Sequence, residues 1–318
     1  MTKGNKFDLE MRLVSFQEAF NYSPWPARIT GLKKWVKTNR NIKVVNDEYD
    51  QNWYNKLVND WESFCSVHTN PGFPEVIKFY NYIDRELNAE VGRNKKIYES
   101  TVNEYLVSAG SQLYISDLNA ATAYHDWLVD YQLEKAQKVR PFRNIVELGC
   151  GNCKHPFRYM VNLLLDQVIG GEISSNAIKL GNTIASDIRA HLRFEDFNYY
   201  DSESYKSLTE GLKDYAVVTN HSIEQIPKIN ELFVKSLLDL PEPPNLVVHF
   251  EPVIFDEDQS RFSQLCKKYA TINQYNVDLW KELKTYEKNN LIEIIKCEKN
   301  VFGFSAFNPT TVILWKPR

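Results

Sequence analysis

The feature that most constrains the fold is a regular alternation of short apolar segments with helical segments after residue 142. The apolar segments are RNIVELGCGN, VIGGEIS, HLRFEDF, YAVVTNHS and NLVVHFEPV, and they begin roughly 25 to 30 residues apart. Amphipathic segments such as FRYMVNLLLD, NAIKLGNTIASDI and INELFVKSLLDL lie between them. This alternation predicts a parallel sheet built through right-handed crossovers. Strands that are apolar throughout indicate that helices cover both faces of the sheet.

The two ends of the chain depart from this rhythm. After the fifth strand we expect a helical insert over about 258–289, then the strands LIEIIKCE and TTVILWKP as an antiparallel hairpin at the sheet edge. Residues before about 140 give few strand signals and show helical spacing over 50–65, 73–87 and 117–138. The sequence therefore predicts an α/β protein: a Rossmann-like, seven-stranded, mostly parallel sheet with an antiparallel last strand in residues 141–318, and a helical N-terminal cap in residues 1–140.

Composition narrows the cellular setting and the partners. The formal net charge is -3, and no run of Lys and Arg predicts a nucleic-acid partner. Five scattered cysteines do not form the pattern of a disulfide framework. The first residues, MTKGNKFDLEMRL, lack the apolar core of a signal peptide, and no stretch approaches the roughly 18 apolar residues of a membrane span. We therefore expect a cytoplasmic protein that binds neither a membrane nor nucleic acid.

The segment Val146–Asn152 (VELGCGN) is the strongest functional signal. An apolar strand runs into a turn where Gly149 and Gly151 have no side chain to block a ligand. The dinucleotide fingerprint G-x-G-x-x-G fails because its third position is Lys154, and the phosphate-binding loop G-x-x-x-x-G-K-[ST] is absent. The carboxylate of Glu147, two residues before the first glycine, suits a cationic ligand that carries an amino group.

On these residues, 142–318 resembles the class I S-adenosylmethionine-dependent methyltransferases. That family carries an acidic-x-Gly-x-Gly motif at the end of its first strand, matched by Glu147, Gly149 and Gly151, whereas its third glycine is Cys153 here. The resemblance implies S-adenosylmethionine as cofactor. It also implies that Glu172, at the end of the second strand, binds both ribose hydroxyls. The full set of implied cofactor residues is Glu147, Gly149, Gly151, Asn152, Glu172, Ile173, Asp196, Phe197 and Asn220.

Within this set, Ile173 is expected against the adenine face. Asp196 is expected to accept the adenine amino group, although Glu195 beside it could take that role, and Phe197 is expected as an apolar wall. Asn220 ends the fourth strand and is expected to face the reaction centre.

Methyl transfer from a sulfonium is an in-line displacement, so alignment and desolvation are the enzyme's main tasks. An oxygen acceptor also needs a base, and His221 at the end of the fourth strand is the candidate, with Glu224 to orient it or to bind substrate. The alternatives are a His221 that only hydrogen-bonds the backbone and a Glu224 that favours a helix dipole. Asn308 and Tyr275 are candidate substrate contacts; Asn308-Pro309 is also a common turn sequence.

The leading hypothesis is methylation of a small molecule or natural-product intermediate. The alternatives are a protein or RNA methyltransferase, a non-catalytic binding protein on the same fold, and a nicotinamide-dependent oxidoreductase. No Asn-Pro-Pro-Tyr or Asp-Pro-Pro-Tyr segment follows the fourth strand, which disfavours methylation of nucleobase or glutamine amino groups. Cys150, Cys153 and His155 lie close in sequence, but no second Cys/His pair with metal spacing accompanies them, so no metal ligand is predicted.

Overall fold

The structure is a computed structural model that describes residues 7–34, 47, 49–94, 104–229 and 231–318. Its strands are β1 (Arg12–Leu13), β2 (Glu104–Ala109), β3 (Gln112–Asp117), β4 (Asn144–Leu148), β5 (Gln167–Glu172), β6 (Leu192–Asp196), β7 (Tyr215–Asn220), β8 (Leu246–Pro252), β9 (Ile292–Phe302) and β10 (Thr310–Pro317). Its helices are α1 (Trp25–Ile29), α2 (Asn55–Val67), α3 (Phe73–Asn94), α4 (Leu118–Val139), α5 (Lys154–Asn162), α6 (Ser175–Asp187), α7 (Ser202–Thr209), α8 (Leu232–Leu238), α9 (Arg261–Asn273) and α10 (Leu279–Lys288).

Seven strands form the main sheet, in the order β6-β5-β4-β7-β8-β10-β9. The pairs β6–β5, β5–β4, β4–β7 and β7–β8 are parallel, and β10 is antiparallel to both β8 and β9. The predicted seven-stranded α/β fold with an antiparallel last strand is confirmed. Strand β10 inserts between β8 and β9, so the predicted hairpin lies at the sheet edge with β9 outermost. The predicted helical insert is present as α9 and α10.

The N-terminal half contains a small sheet that the sequence analysis did not predict. Strands β2 and β3 form a hairpin, and β1 pairs with β3. Gly110 and Ser111 form the turn of the hairpin, both with positive φ, which matches the twist of the flanking strands. The predicted helices are present as α2, α3 and α4, and the side chain of Asp117 caps α4 by accepting the N–H of Ala120. The cap is therefore mixed rather than wholly helical.

Helices of the N-terminal half share a hydrophobic core with the main sheet. One core cluster contains Trp61 of α2 and Phe79 of α3 together with Ile145 of β4 and Phe250 of β8. A second cluster, on the other face, joins the sheet to α7, α8 and α10. None of the helices in the described ranges is long and apolar enough to cross a membrane.

Candidate functional site

The glycine turn after β4 opens the site. Gly149 has φ +72° and Gly151 has φ +57°, conformations that glycine adopts without steric penalty. A Cβ on Gly149 would lie 2.6 Å from the Cβ of Ser222, so the backbone fits closely against the loop after β7. The N–H groups of Gly149 and Cys150 donate to the carbonyl of Gly171 at 2.8 and 3.0 Å, which anchors the turn to β5.

Two buried carboxylates lie beside this turn. Glu172, at the end of β5, accepts the N–H groups of Gly151, Ile173 and Ser174 at 2.8, 2.9 and 3.1 Å. Burial raises the pKa of Glu172, although these three donors favour its charged form. Glu147 is 1% exposed, and its Oε2 has no hydrogen-bond partner within the described residues. Burial raises the pKa of Glu147 well above its usual value.

A cavity of about 600 Å³ lies over the C-terminal ends of β4, β5 and β7. Ligands of parallel α/β sheets bind at this edge. Nearly all of the sequence-predicted site residues line this cavity: Glu147, Gly149, Gly151, Asn152, Glu172, Ile173, Phe197, Asn220, His221, Glu224, Tyr275 and Asn308. Asn220 adds a second buried acceptor, since its Oδ1 finds no partner in the described part of the chain.

Asp196 is the predicted residue that the fold does not bring to the cavity. It lies beside Glu172 in the register of β5 and β6, but its side chain is exposed and does not line the cavity. The next two residues, Phe197 and Asn198, form the wall at this point. The role of Asp196 as acceptor for an adenine amino group stays a prediction, and its side chain is exposed next to this wall.

His221 lies at the centre of a buried polar network. It has φ +51°, and its ring is placed by Nδ1 against Glu224 Oε2 at 3.1 Å and Nε2 against Thr310 Oγ1 at 2.7 Å. Glu224 also accepts a hydrogen bond from Asn308 Nδ2 at 2.6 Å. This contact connects three sequence-predicted residues, His221, Glu224 and Asn308. Burial alone would lower the pKa of His221, but the carboxylates of Glu224 and Glu251 outweigh it and raise that pKa.

Glu251, which the sequence analysis missed, holds the loop that carries His221 and Glu224. It is fully buried at the end of β8 and accepts the N–H groups of Ser222, Ile223 and Glu224 at 3.0, 3.1 and 3.3 Å. Burial raises the pKa of Glu251 to about 7. The segment HFEPV does show a glutamate at the end of an apolar strand, which could have marked Glu251 as a candidate. Nothing in that segment indicates which N–H groups Glu251 would accept.

The N-terminal half supplies an aromatic wall that the sequence analysis also missed. The cavity is also lined by Tyr49, Trp53 and Tyr54, from the turn that leads into α2, and the hydroxyl of Tyr54 lies close to Gly151. Asp50 fixes this turn, because its Oδ1 accepts Ser174 Oγ at 2.5 Å and the N–H of Asn176 at 2.9 Å at the start of α6. Asp50 thus joins the cap to Ser174, which directly follows Glu172 and Ile173.

A third part of the wall carries charged and imidazole side chains. His125 and Asp126 of α4 and Lys154 and His155 of α5 line the cavity together with Asp84 of α3. Lys154 Nζ binds Asp84 Oδ2 at 2.7 Å and Asp126 Oδ2 at 2.6 Å. Burial lowers the pKa of His125 to about 3. The ring of His125 lies at the cavity, 5.7 Å from that of His221 between centroids.

The structure has the seven-stranded, mostly parallel sheet, the antiparallel last strand and the glycine turn that the sequence analysis predicted. The fold is that of the class I methyltransferases. Its sheet, turn and second-strand carboxylate occupy the positions that the class I motif predicts. The predicted fold resemblance is confirmed on this basis.

Comparisons with solved structures find only distant similarities. An S-adenosylmethionine-dependent methyltransferase from Anabaena variabilis is 14% identical, with 55% of this chain and 77% of that chain covered and a TM-score of 0.39. Magnesium protoporphyrin IX methyltransferase from Synechocystis is 12% identical, with 63% and 85% covered and a TM-score of 0.43. The (4+2)-cyclase SpnF is 11% identical, with 78% and 96% covered and a TM-score of 0.45. Such values are too low to extend any of these activities to this chain.

Sequence comparisons identify no relatives. No family model matches the chain, and no curated protein matches its sequence.

Proposed function

We propose that the chain binds S-adenosylmethionine over the C-terminal ends of β4 and β5 and transfers its methyl group to a small molecule in the same cavity. One observation carries the proposal. The glycine turn, the buried Glu172 beside Gly151 and the unpartnered Glu147 Oε2 all line a single cavity of about 600 Å³. That volume lies within the range of ligand sites that hold a drug-sized molecule.

The polar groups of the cavity fit the proposed cofactor. Buried acceptors are normally hydrogen-bonded, so Glu147 Oε2 and Asn220 Oδ1 call for a donor, and an amino-acid ammonium supplies one. Glu172 is fixed by three backbone N–H groups and presents its remaining acceptor capacity to a ribose diol. Ile173 and Phe197 supply apolar surface for an adenine ring.

The residues of this chain align the reactants rather than perform acid–base chemistry on the donor. The cofactor supplies an already activated methyl group. Tyr49, Trp53 and Tyr54 exclude water from the cavity, and Glu224 with Asn308 holds the imidazole of His221. His221 acts as a base in this proposal only if Thr310 Oγ1 turns away from Nε2 when the acceptor binds.

A small acceptor is favoured over a protein or RNA. Aromatic rings of the cap line the cavity, and no basic surface was predicted from the sequence. An aromatic cavity wall suits a small molecule, because flat rings bury much area with little loss of conformational freedom. Location in the cytoplasm remains a prediction of the sequence.

Calorimetry with S-adenosylhomocysteine on the full chain tests the proposal. We expect saturable binding by the wild type, and binding weakened about 10- to 100-fold by Glu172→Gln, because the ribose loses a charged acceptor. Glu203→Gln is the matched control, since Glu203 is exposed on α7 outside the cavity, and we expect it to bind like the wild type. Binding of NADH instead, or no binding of either ligand, would refute the proposal.

A further inference from the structure

One group of side chains in the cavity wall is not used by the proposed methyl transfer. His125 and Asp126 of α4 and His155 of α5 bring one ligand atom each to within 4.8 Å of one another. Across the described ranges, this is the one group of His, Cys, Asp or Glu side chains close enough to share a metal ion. All three residues line the cavity, so an ion held by them would face any bound substrate.

The donor set fits a transition metal. Two imidazoles and one carboxylate, with further positions open, suit ions such as Fe²⁺, Mn²⁺, Co²⁺ and Zn²⁺. Bonds of about 2.1 Å place two ligands of one ion about 3 to 4 Å apart, so binding of an ion requires these three atoms, now within 4.8 Å of one another, to move closer together. His155 Nδ1 is buried and has no hydrogen-bond partner within the described residues, as expected of an atom with an absent partner.

The charges around the group leave room for a cation. The carboxylates of Asp84, Asp126 and Asp130 face the two cations Lys154 and Arg158, so one negative charge is in excess. Lys154 and Arg158 both contact Oδ2 of Asp126. Lys154 keeps Asp84 as a partner, so an ion on Asp126 does not leave the ammonium unpaired.

We propose that His125, Asp126 and His155 form a divalent transition-metal site in the wall of the cavity. If the proposed methyl transfer holds, the ion binds the oxygen of the acceptor and lowers the pKa of its hydroxyl. The proton then leaves to water, the oxygen forms a bond to the methyl carbon, and the breaking S–C bond returns its electron pair to sulfur. This role suits a site where both ring nitrogens of His221 already contact Glu224 and Thr310.

Cobalt titration tests the site directly. Tag-free full-length protein is treated with EDTA, dialysed and titrated with Co²⁺, and the visible ligand-field absorption is recorded. We expect one Co²⁺ per chain with a spectrum of nitrogen and oxygen ligands, displaced by Zn²⁺. His125→Ala and His155→Ala should each weaken Co²⁺ binding by about 10- to 100-fold or more. His191→Ala, which removes an exposed histidine outside the cavity, should bind like the wild type.

Three outcomes would overturn the metal site. They are the absence of ligand-field absorption, equal affinity in the wild type and the His125→Ala/His155→Ala double variant, and an intense thiolate-to-cobalt band from Cys150 or Cys153. S-adenosylhomocysteine calorimetry on the same samples reports whether each variant is folded. It also separates the two proposals: binding of S-adenosylhomocysteine without Co²⁺ binding refutes the metal site alone.

Discussion

At the scale of single residues, Gly149 shows how closely the glycine turn fits its surroundings. Its φ is +72°, and an added Cβ would meet Ser222 Cβ at 2.6 Å. Gly211 offers a matched control, because its φ is +73° and a Cβ there meets nothing within 4 Å. Both alanine variants carry the penalty of about 1 kcal/mol for a left-handed backbone, but only Gly149→Ala adds a steric clash.

We therefore expect Gly149→Ala to lower the free energy of unfolding by about 2 to 4 kcal/mol, against about 1 kcal/mol for Gly211→Ala. Urea denaturation measures both changes. Calorimetry on the folded fraction of Gly149→Ala should show weakened S-adenosylhomocysteine binding, because the shifted turn narrows the cavity. Equal destabilisation by the two substitutions would contradict the close contact with Ser222.

Glu251 makes a prediction about pH. Its folded pKa is about 7 because it is fully buried, whereas an unfolded glutamate titrates near 4.3. Between those values the folded state binds more protons, so stability falls as pH rises from about 4.5 to 7. The raised pKa of His221 acts in the same sense: its contribution is complete below about 6.5 and is lost as pH rises through the folded pKa.

Urea unfolding of the wild type and Glu251→Gln between pH 4.5 and 8 tests this. The variant cannot lose a proton at this position, so we expect its stability to decline less steeply, with a difference on the order of 1 to 3 kcal/mol across the window. Glu203→Gln, on the surface of α7, should keep the wild-type slope. Parallel slopes for the wild type and Glu251→Gln would show that Glu251 is ionised throughout.

The residue scale also shows what a sequence can and cannot reveal about the site. Glu147, Gly149 and Glu172 were predictable because a strand that ends in a glycine turn places them at one sheet edge. Asp196 was placed correctly at a strand end, yet the direction of its side chain depends on the following turn. Glu251 was missed because its role rests on three N–H groups nearly thirty residues away in the chain.

At the scale of elements, Asp50 links the cap to α6. Its carboxylate accepts Ser174 Oγ and the N–H of Asn176, so it satisfies a donor in the first turn of α6 from outside that helix. Asp50→Ala should destabilise the chain by about 1 to 2 kcal/mol and weaken S-adenosylhomocysteine binding several-fold, because Tyr49, Trp53 and Tyr54 lose their attachment.

Asp60→Ala is the matched control for Asp50→Ala. Asp60 lies on α2 and pairs with Lys56 at an exposed position, so we expect a loss of no more than about 0.5 kcal/mol and unchanged binding. Thermal unfolding and calorimetry measure the two effects. If Asp60→Ala weakened binding as much as Asp50→Ala, the attachment through α6 would not be the cause.

Elements with strong local patterns were predictable, and the exceptions have a physical reason. Strands β4, β5, β7 and β8 are buried on both faces and therefore read as apolar runs. The β2–β3 hairpin is half-exposed, and it follows a region without helical or strand spacing, so its alternation is weak. The contact between residues 50–54 and the start of α6 is a long-range one that no local pattern encodes.

At the scale of the whole molecule, the cap and the main sheet share a core, so an independent sheet domain is not expected. Trp61 of α2 is 1% exposed, packs with Phe79 in the cluster that includes β4 and β8, and donates its Nε1–H to Asp187 of α6 at 2.8 Å. Removing residues 1–140 would expose this face of the sheet to water. Each fully buried large apolar side chain contributes about 1.5 to 3 kcal/mol.

We therefore expect the fragment 141–318 to lack a cooperative unfolding transition and to bind the dye ANS, as compact states with exposed apolar surface do. The full chain should unfold in a single step, with coincident transitions by far-ultraviolet circular dichroism and tryptophan fluorescence. Fluorescence follows both Trp61 in the cap and Trp315 in β10, which are each fully buried. A fragment that unfolds cooperatively and binds S-adenosylhomocysteine would instead show that residue 141 begins an independent domain and that the cap serves only the acceptor.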